Sequence, residues 1–333
     1  MNRLLIITLS IALVLALLFG IIIYDFQRET PVSSITKVRS GLVAEDSLLN
    51  GNLSSEYLRW IDPHNWNFDH FNTGKANVNF YESASDGLHL GVKSEVEGTW
   101  SGLFATTVNN NNTSLFHANL TMPYKSVPDE FIIGLKVATS QGPISYVSCI
   151  AESNPSGIIW SVQHSEGSIT EAEIFQTLWS SKASENQSIT KECSIITNGD
   201  NYLKVYLDNR PVFSSNKLKL RMSQPFITFL DVTTPSASQL RYGIFKDYYS
   251  ALSENVTIIN GPTNGVVSII DATSGKSLVH RVVGGDRAVN IDIGQFHFPL
   301  SAKILVYDSK NNLVASTHSS VGIFGGDVYS VNA

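Results

Sequence analysis

The chain has 333 residues, only 16% of them charged, and a formal net charge of −6. With no basic stripe to neutralise phosphates, a nucleic-acid reader is excluded. Hydrophobic residues, 43% of the total and spread along the whole length, exclude a disordered chain.

The first element is Leu4 to Tyr24, an uncharged run bounded by Arg3 and Asp25. A helix of that length rises about 31 Å, enough to cross a hydrocarbon core of about 30 Å. A signal peptide would have a shorter apolar core followed by small residues at the cut site. Here Ile21-Ile22-Ile23 runs directly into Tyr24-Asp25-Phe26-Gln27. The segment reads as an uncleaved single-pass membrane anchor, with removal as a signal the alternative. Arg3 before it against Arg28, Lys37 and Arg39 after it slightly favours the wrong orientation. The N-x-[ST] sequons argue the other way, because all of them follow the anchor: Asn52, Asn111, Asn112, Asn119, Asn186 and Asn255. The expectation is a glycoprotein with its amino terminus cytoplasmic and its bulk extracellular. Cys149 and Cys193 suit one disulfide in an oxidising compartment, two buried thiols being the other reading.

Residues 25–41 are polar, interrupted by Pro31, and lack a sustained apolar pattern, so a stalk or linker is expected. Glu56 to Phe71 mixes aromatic and polar residues too irregularly to assign. Short strands then follow at Val78–Tyr81, Gly87–Val92, Phe131–Ala138, Ile144–Ile150 and Ile158–Val162, separated by Gly, Pro, Asn and Asp turns. From Tyr202 to Leu207 the alternation puts Leu203, Val205 and Leu207 on one face and Tyr202, Lys204 and Tyr206 on the other. Lys217 to Met222 also alternates, with Leu218, Leu220 and Met222 inward. Phe226 to Val232 is apolar enough for a strand covered on both faces. Many short strands without intervening helices mean a sandwich or jelly roll.

GLHLGV at Gly87, TWSGLFATT at Thr99, the hairpin NYLKVYLDNRPVFSS at Asn201 and RYGIFKDYYS at Arg241 come in an order that resembles the concanavalin A-like lectin and glucanase superfamily. The resemblance covers residues 42–250 and implies an all-β, two-sheet jelly roll whose concave face binds carbohydrate. A second unit spans 255–333: Val266–Ile270 with Leu278–Val283, and Ala302–Tyr307 with Leu313–Ser316, form hairpins. It resembles the small β-sandwich modules, carboxypeptidase-regulatory-like or immunoglobulin-like, of surface proteins. Gly-Gly-Asp occurs at Gly284 and again at Gly325, which turn chemistry explains without a repeat.

The glucanases of that superfamily carry a motif like E-x-D-x-x-E on one strand, where alternation lets the carboxylates share a face. This chain lacks it; Glu95-Val96-Glu97 and Glu171-Ala172-Glu173 have no third acid at the right step. Catalysis is therefore not expected, a divergent glycoside hydrolase being the outlying reading. His64 and His70, near Asp62 and Asp69, form too weak a pattern for a metal site, and no metal or cofactor is expected. Asp308 fits an Asx turn better than a calcium loop. Aromatic faces stack on sugar rings, so Trp100, Trp160, Trp179, Tyr202 and Tyr206 are the candidate carbohydrate contacts. The resulting expectation is a membrane-anchored binder of carbohydrate or envelope glycan. A structural component contacting envelope or membrane proteins is the alternative.

Overall fold

The computed structural model of the chain describes residues 32–45, 67–72, 78–83, 87–123, 130–139, 144–155, 157–167, 172–183, 188–296 and 300–332. The regular elements among them are all strands. The Leu4–Tyr24 segment lies outside the described residues, within which no helix is long and apolar enough to cross a membrane.

The strands run β1 (Ser33–Arg39), β2 (Leu42–Glu45), β3 (Asn67–Phe71), β4 (Val78–Ser83), β5 (Gly87–Val92), β6 (Ser101–Val108), β7 (Leu115–Met122) and β8 (Phe131–Thr139). Next come β9 (Ile144–Asn154), β10 (Gly157–Gly167), β11 (Ala172–Ala183), β12 (Ile189–Thr197), β13 (Leu203–Leu207), β14 (Arg210–Ser215), β15 (Phe226–Thr234) and β16 (Arg241–Ala251). The last are β17 (Asn255–Ile259), β18 (Val266–Asp271), β19 (Ser277–Val282), β20 (Val289–Asp292), β21 (Leu300–Tyr307), β22 (Leu313–Ser316), β23 (Val321–Ile323) and β24 (Val328–Val331).

Two of the three sheets make a jelly-roll-like sandwich of the kind the resemblance implied. One has seven strands in the order β11-β10-β9-β8-β15-β6-β3; the other has eight, β14-β13-β12-β7-β16-β5-β4 with β2 added beside β16. Strand alternation fills the space between them. On β8, Phe131, Ile133, Leu135 and Val137 are buried in the core while Ile132 and Lys136 are only half-buried. On β13, Leu203, Val205 and Leu207 enter the same core, on the face expected for them. Cys149 of β9 and Cys193 of β12 form a disulfide, Cα atoms 6.6 Å apart, that staples one sheet to the other.

Lys217–Met222 differs from expectation. Leu220 and Met222 are buried as the alternation requires, but the segment joins no sheet. Its Leu218, Leu220 and Met222 N–H groups instead donate to the Asn201, Asp200 and Gly199 carbonyls, so the preceding turn provides the partner a neighbouring strand would have offered.

The C-terminal unit holds the third sheet, of nine strands, around its own core of Val256, Ile258, Val267, Ile269, Ile304 and Val306 among others. The expected hairpins are present, β18 pairing with β19 and β21 with β22. The expected stalk is not a simple linker. Its residues 33–39 form β1, which pairs in parallel with β22 through Ser33 and Ser34, then antiparallel with β24 from Ile35 to Arg39. The alternation SSITKVR is short and mostly polar, because a single residue, Ile35, contributes to the core. That is too little for a periodicity argument, and tertiary pairing decides the strand.

Asp327 fixes the exit of β1. Wholly buried, its carboxylate accepts hydrogen bonds from Gly41 N–H at 2.8 Å and Phe324 N–H at 2.9 Å, and pairs with Lys37 Nζ at 2.6 Å. Of the two Gly-Gly-Asp triplets, only the one at Gly325 is a packing device. A Cβ on Gly325 would lie 1.7 Å from the Ser253 carbonyl oxygen, and Gly326 has φ +87°. The triplet at Gly284 is exposed.

Candidate functional site

The outer face of the seven-stranded sheet carries a groove of about 240 Å³. Its lining comes from Phe71, Trp100, Ile132, Lys136, Tyr146, Ile150, Glu152, Gln163, Phe175 and Thr233. Register explains the assembly. Phe229 lies opposite Lys136, Lys136 opposite Ser148, and Ser148 opposite Gln163. Since the residues between them fill the core, this row and its neighbours all project outward. The floor is apolar around Tyr146, Phe229 and Ala138, with Phe104 and Ile227 packed against them. Phe104 meets Phe229 edge-on at 5.8 Å between centroids. Trp100, 39% exposed, and Phe175, 57% exposed, supply accessible aromatic faces.

An ion pair is set into this floor. Lys136 Nζ lies 2.6 Å from Asp231 Oδ2, and Asp231 is only 2% exposed. Gly134 makes room for the carboxylate, since a Cβ there would come within 2.8 Å of Asp231 Oδ1. Burial pushes the Asp231 carboxyl up, and Lys136 draws it only partly back. Burial also works against the Lys136 ammonium, but Asp231 together with Tyr146 outweighs it and holds the lysine above its ordinary value. Asp231 Oδ1, Ser148 Oγ and Ser165 Oγ, all on this face, are buried with no hydrogen-bond partner among the described residues. Glu152, at one side, is pushed above the usual carboxylate range by burial and by nearby Glu130.

The sequence candidates scatter. Trp100 lies in the groove. Trp160 is 1% exposed and part of the core, so it presents no face to a sugar. Trp179 sits opposite Val162 and packs on that same core. Tyr202 and Tyr206 lie at the junction with the C-terminal unit, Tyr202 Oη donating to Glu254 at 2.7 Å. Lys204 between them bonds Glu254 at 2.8 Å and Asp292 at 2.9 Å. Conversely, Lys136, Tyr146, Glu152, Gln163 and Phe175 line the groove without being among the sequence candidates. The available signal was a lone charge in each of two apolar runs, Lys136 in FIIGLKVA and Asp231 in FITFLDV.

Other candidates have plain structural settings. Glu97 accepts the Ala237 N–H at 2.7 Å, and Asp308 accepts the Lys310 and Asn312 N–H groups, an Asx turn. His64, Glu171, Asn52 and Asn186 lie outside the described residues, among which no three His, Cys, Asp or Glu side chains could share a metal ion. Asn111 and Asn112 are exposed on the β6–β7 turn. Asn119 donates to Asp247 at 2.7 Å from within β7, and Asn255 opens β17.

No protein-family model and no curated protein sequence matches the chain. Among solved structures it is similar to an endo-β-1,3-glucanase from Pyrococcus furiosus, at 12% identity and TM-score 0.42, over 66% of this chain and 97% of that one. It is also similar to a glycoside hydrolase family protein from Mycobacterium thermorestibile, at 10% identity and TM-score 0.41, over 62% and 99%. A third is the carbohydrate-binding module CBM66 from Bacillus subtilis, at 8% identity and TM-score 0.34, over 56% and 95%. The overlaps are partial, and the sandwich described above rests on its own strand pairing.

Proposed function

We propose that this protein is a membrane-tethered, extracellular carbohydrate binder that takes its ligand in the groove of the seven-stranded sheet. The observation that carries the reading is the pairing, in one groove, of exposed Trp100 and Phe175 with the polar side chains of Lys136, Gln163 and Thr233. Flat aromatic faces suit pyranose rings, and fixed polar atoms suit hydroxyls. The C-terminal unit, read as an immunoglobulin-like or carboxypeptidase-regulatory-like module, acts as a spacer. The test is retention of the full chain, in detergent, on a panel of immobilised polysaccharides. Retention that Trp100→Ala weakens is expected; no retention on any glycan overturns the reading.

One observation favours a second reading, a divergent glycoside hydrolase. Glu152 combines a groove position with a raised pKa, the setting of a general acid. Asp231, held by Lys136, is poorly placed to serve as its partner carboxylate. Sugar release from a bound polysaccharide, abolished by Glu152→Gln, would establish hydrolysis.

A further inference from the structure

We propose that the C-terminal unit is the membrane-side end of the molecule, with the groove held away from the bilayer. The lipid-facing surface would then be the end formed by the 260–265, 284–287 and 308–312 loops. This rests on the tethered reading of Leu4–Tyr24 and adds a direction to it.

The direction comes from β1. Its Arg39 end leads into Gly41, which is bound to Asp327 and accepts the Leu252 N–H, and then into β2 beside β16 of the jelly roll. Its Ser33 end lies beside Ala315 of β22, remote from that junction. At about 3.3 Å per residue, the eight steps from Ser33 to Gly41 separate the two ends by about 26 Å. Since β1 runs parallel to β22, the Asp308–Asn312 turn that precedes β22 lies further out still. Val266 opposite Tyr307 places the loop before β18 at the same end, and Val283 N–H bonded to the Gly265 carbonyl adds the loop after β19.

The groove is on the other side of the jelly roll. The C-terminal unit touches the outer face of the eight-stranded sheet. There Phe324 meets Tyr249 edge-on at 5.9 Å, and Lys204 bonds Glu254 and Asp292. The groove opens on the outer face of the opposite sheet. Residues 25–31 between the apolar segment and the first described residue reach at most about 25 Å when fully extended. That length is too short to carry the anchor back past the C-terminal unit and around the jelly roll, so the groove face is kept from turning onto the bilayer.

The full chain reconstituted in liposomes tests this. The native cysteines are joined to each other, so a single new cysteine takes a fluorophore cleanly: Lys310→Cys at the proposed lipid-facing end, or Val108→Cys on the groove face. The expected result is co-flotation with the liposomes, loss of emission at position 310 when the lipids carry a headgroup quencher, and no loss at 108. Quenching at 108 equal to or above that at 310 overturns the direction while leaving the tether standing. Failure to float overturns the tether and this proposal with it, and leaves glycan retention as a separate question.

Discussion

The two outer faces of the jelly roll are built alike and used differently. Each carries aromatic side chains around a lysine paired with acids: Lys136 with Asp231 on the seven-stranded sheet, Lys204 with Glu254 and Asp292 on the eight-stranded one. Across Lys204 one acid, Glu254, leads into the C-terminal unit and the other, Asp292, belongs to it, and Tyr206 beside the lysine is buried. Across Lys136 the acid belongs to the same sheet, and the aromatics at the rim are exposed. The ion pair on one face joins two units; on the other it stiffens a floor. Tyrosines and tryptophans thus acquire their meaning from what covers the face, which their own strand does not record.

Because Cys149 and Cys193 tie these two faces back to back, their replacement by alanine has the largest expected effect. For a closed loop of this length the chain-entropy estimate is about 4 kcal/mol. Urea unfolding should show that loss, and a change under about 1 kcal/mol would mean the core alone keeps the sheets together. Next, Asp327→Ala removes the acceptor of the Gly41 and Phe324 N–H groups and of the Tyr329 hydroxyl, and the carboxylate that pairs with Lys37. A loss of about 3 kcal/mol, confined to the C-terminal unit's transition, is the expectation.

The groove ion pair offers a contrast. Asp231→Asn leaves a buried ammonium behind and should cost about 3 kcal/mol, whereas the double change Lys136→Met with Asp231→Leu should be near neutral in stability. Glycan retention measured on that stable double variant shows whether the pair serves the ligand. Trp100→Ala should lower affinity about tenfold, or about 1.4 kcal/mol, with melting temperature unchanged, while Tyr206→Phe should leave affinity alone. Equal losses from both would collapse the distinction between the faces.

The smallest effect concerns Glu152. Its folded-state pKa is raised, so its contribution to stability is fully present below the unfolded value near 4 and is lost as pH rises through the folded one. Wild type should weaken slightly across that window, and Glu152→Gln should flatten the profile.

Much of the fold was legible in the sequence, because the strands that form the sandwich alternate cleanly. Gly87–Val92 matches β5 end to end, and both C-terminal hairpins pair as expected. The same rule, applied to GIIWSV, would have sorted Trp160 inward with Ile158 and Val162. The groove was less legible, for physical reasons. Lys136 and Asp231 are 95 residues apart, so neither run shows that its lone charge has a partner. A buried charge nevertheless requires one, and two apolar strands with a single opposite charge each are a usable pointer. Strand β1 was invisible because its stability comes from β22 and β24, almost the whole chain away.

That separation governs how the molecule is made. Ile35 is paired with Val331, so a segment made early must wait for one made much later. Until then the C-terminal unit has an unfilled slot, and any second chain with a spare β1 could occupy it. The insertion of β1 between β22 and β24 is therefore a late step, and it is where crowded, newly made copies are most exposed to exchanging strands.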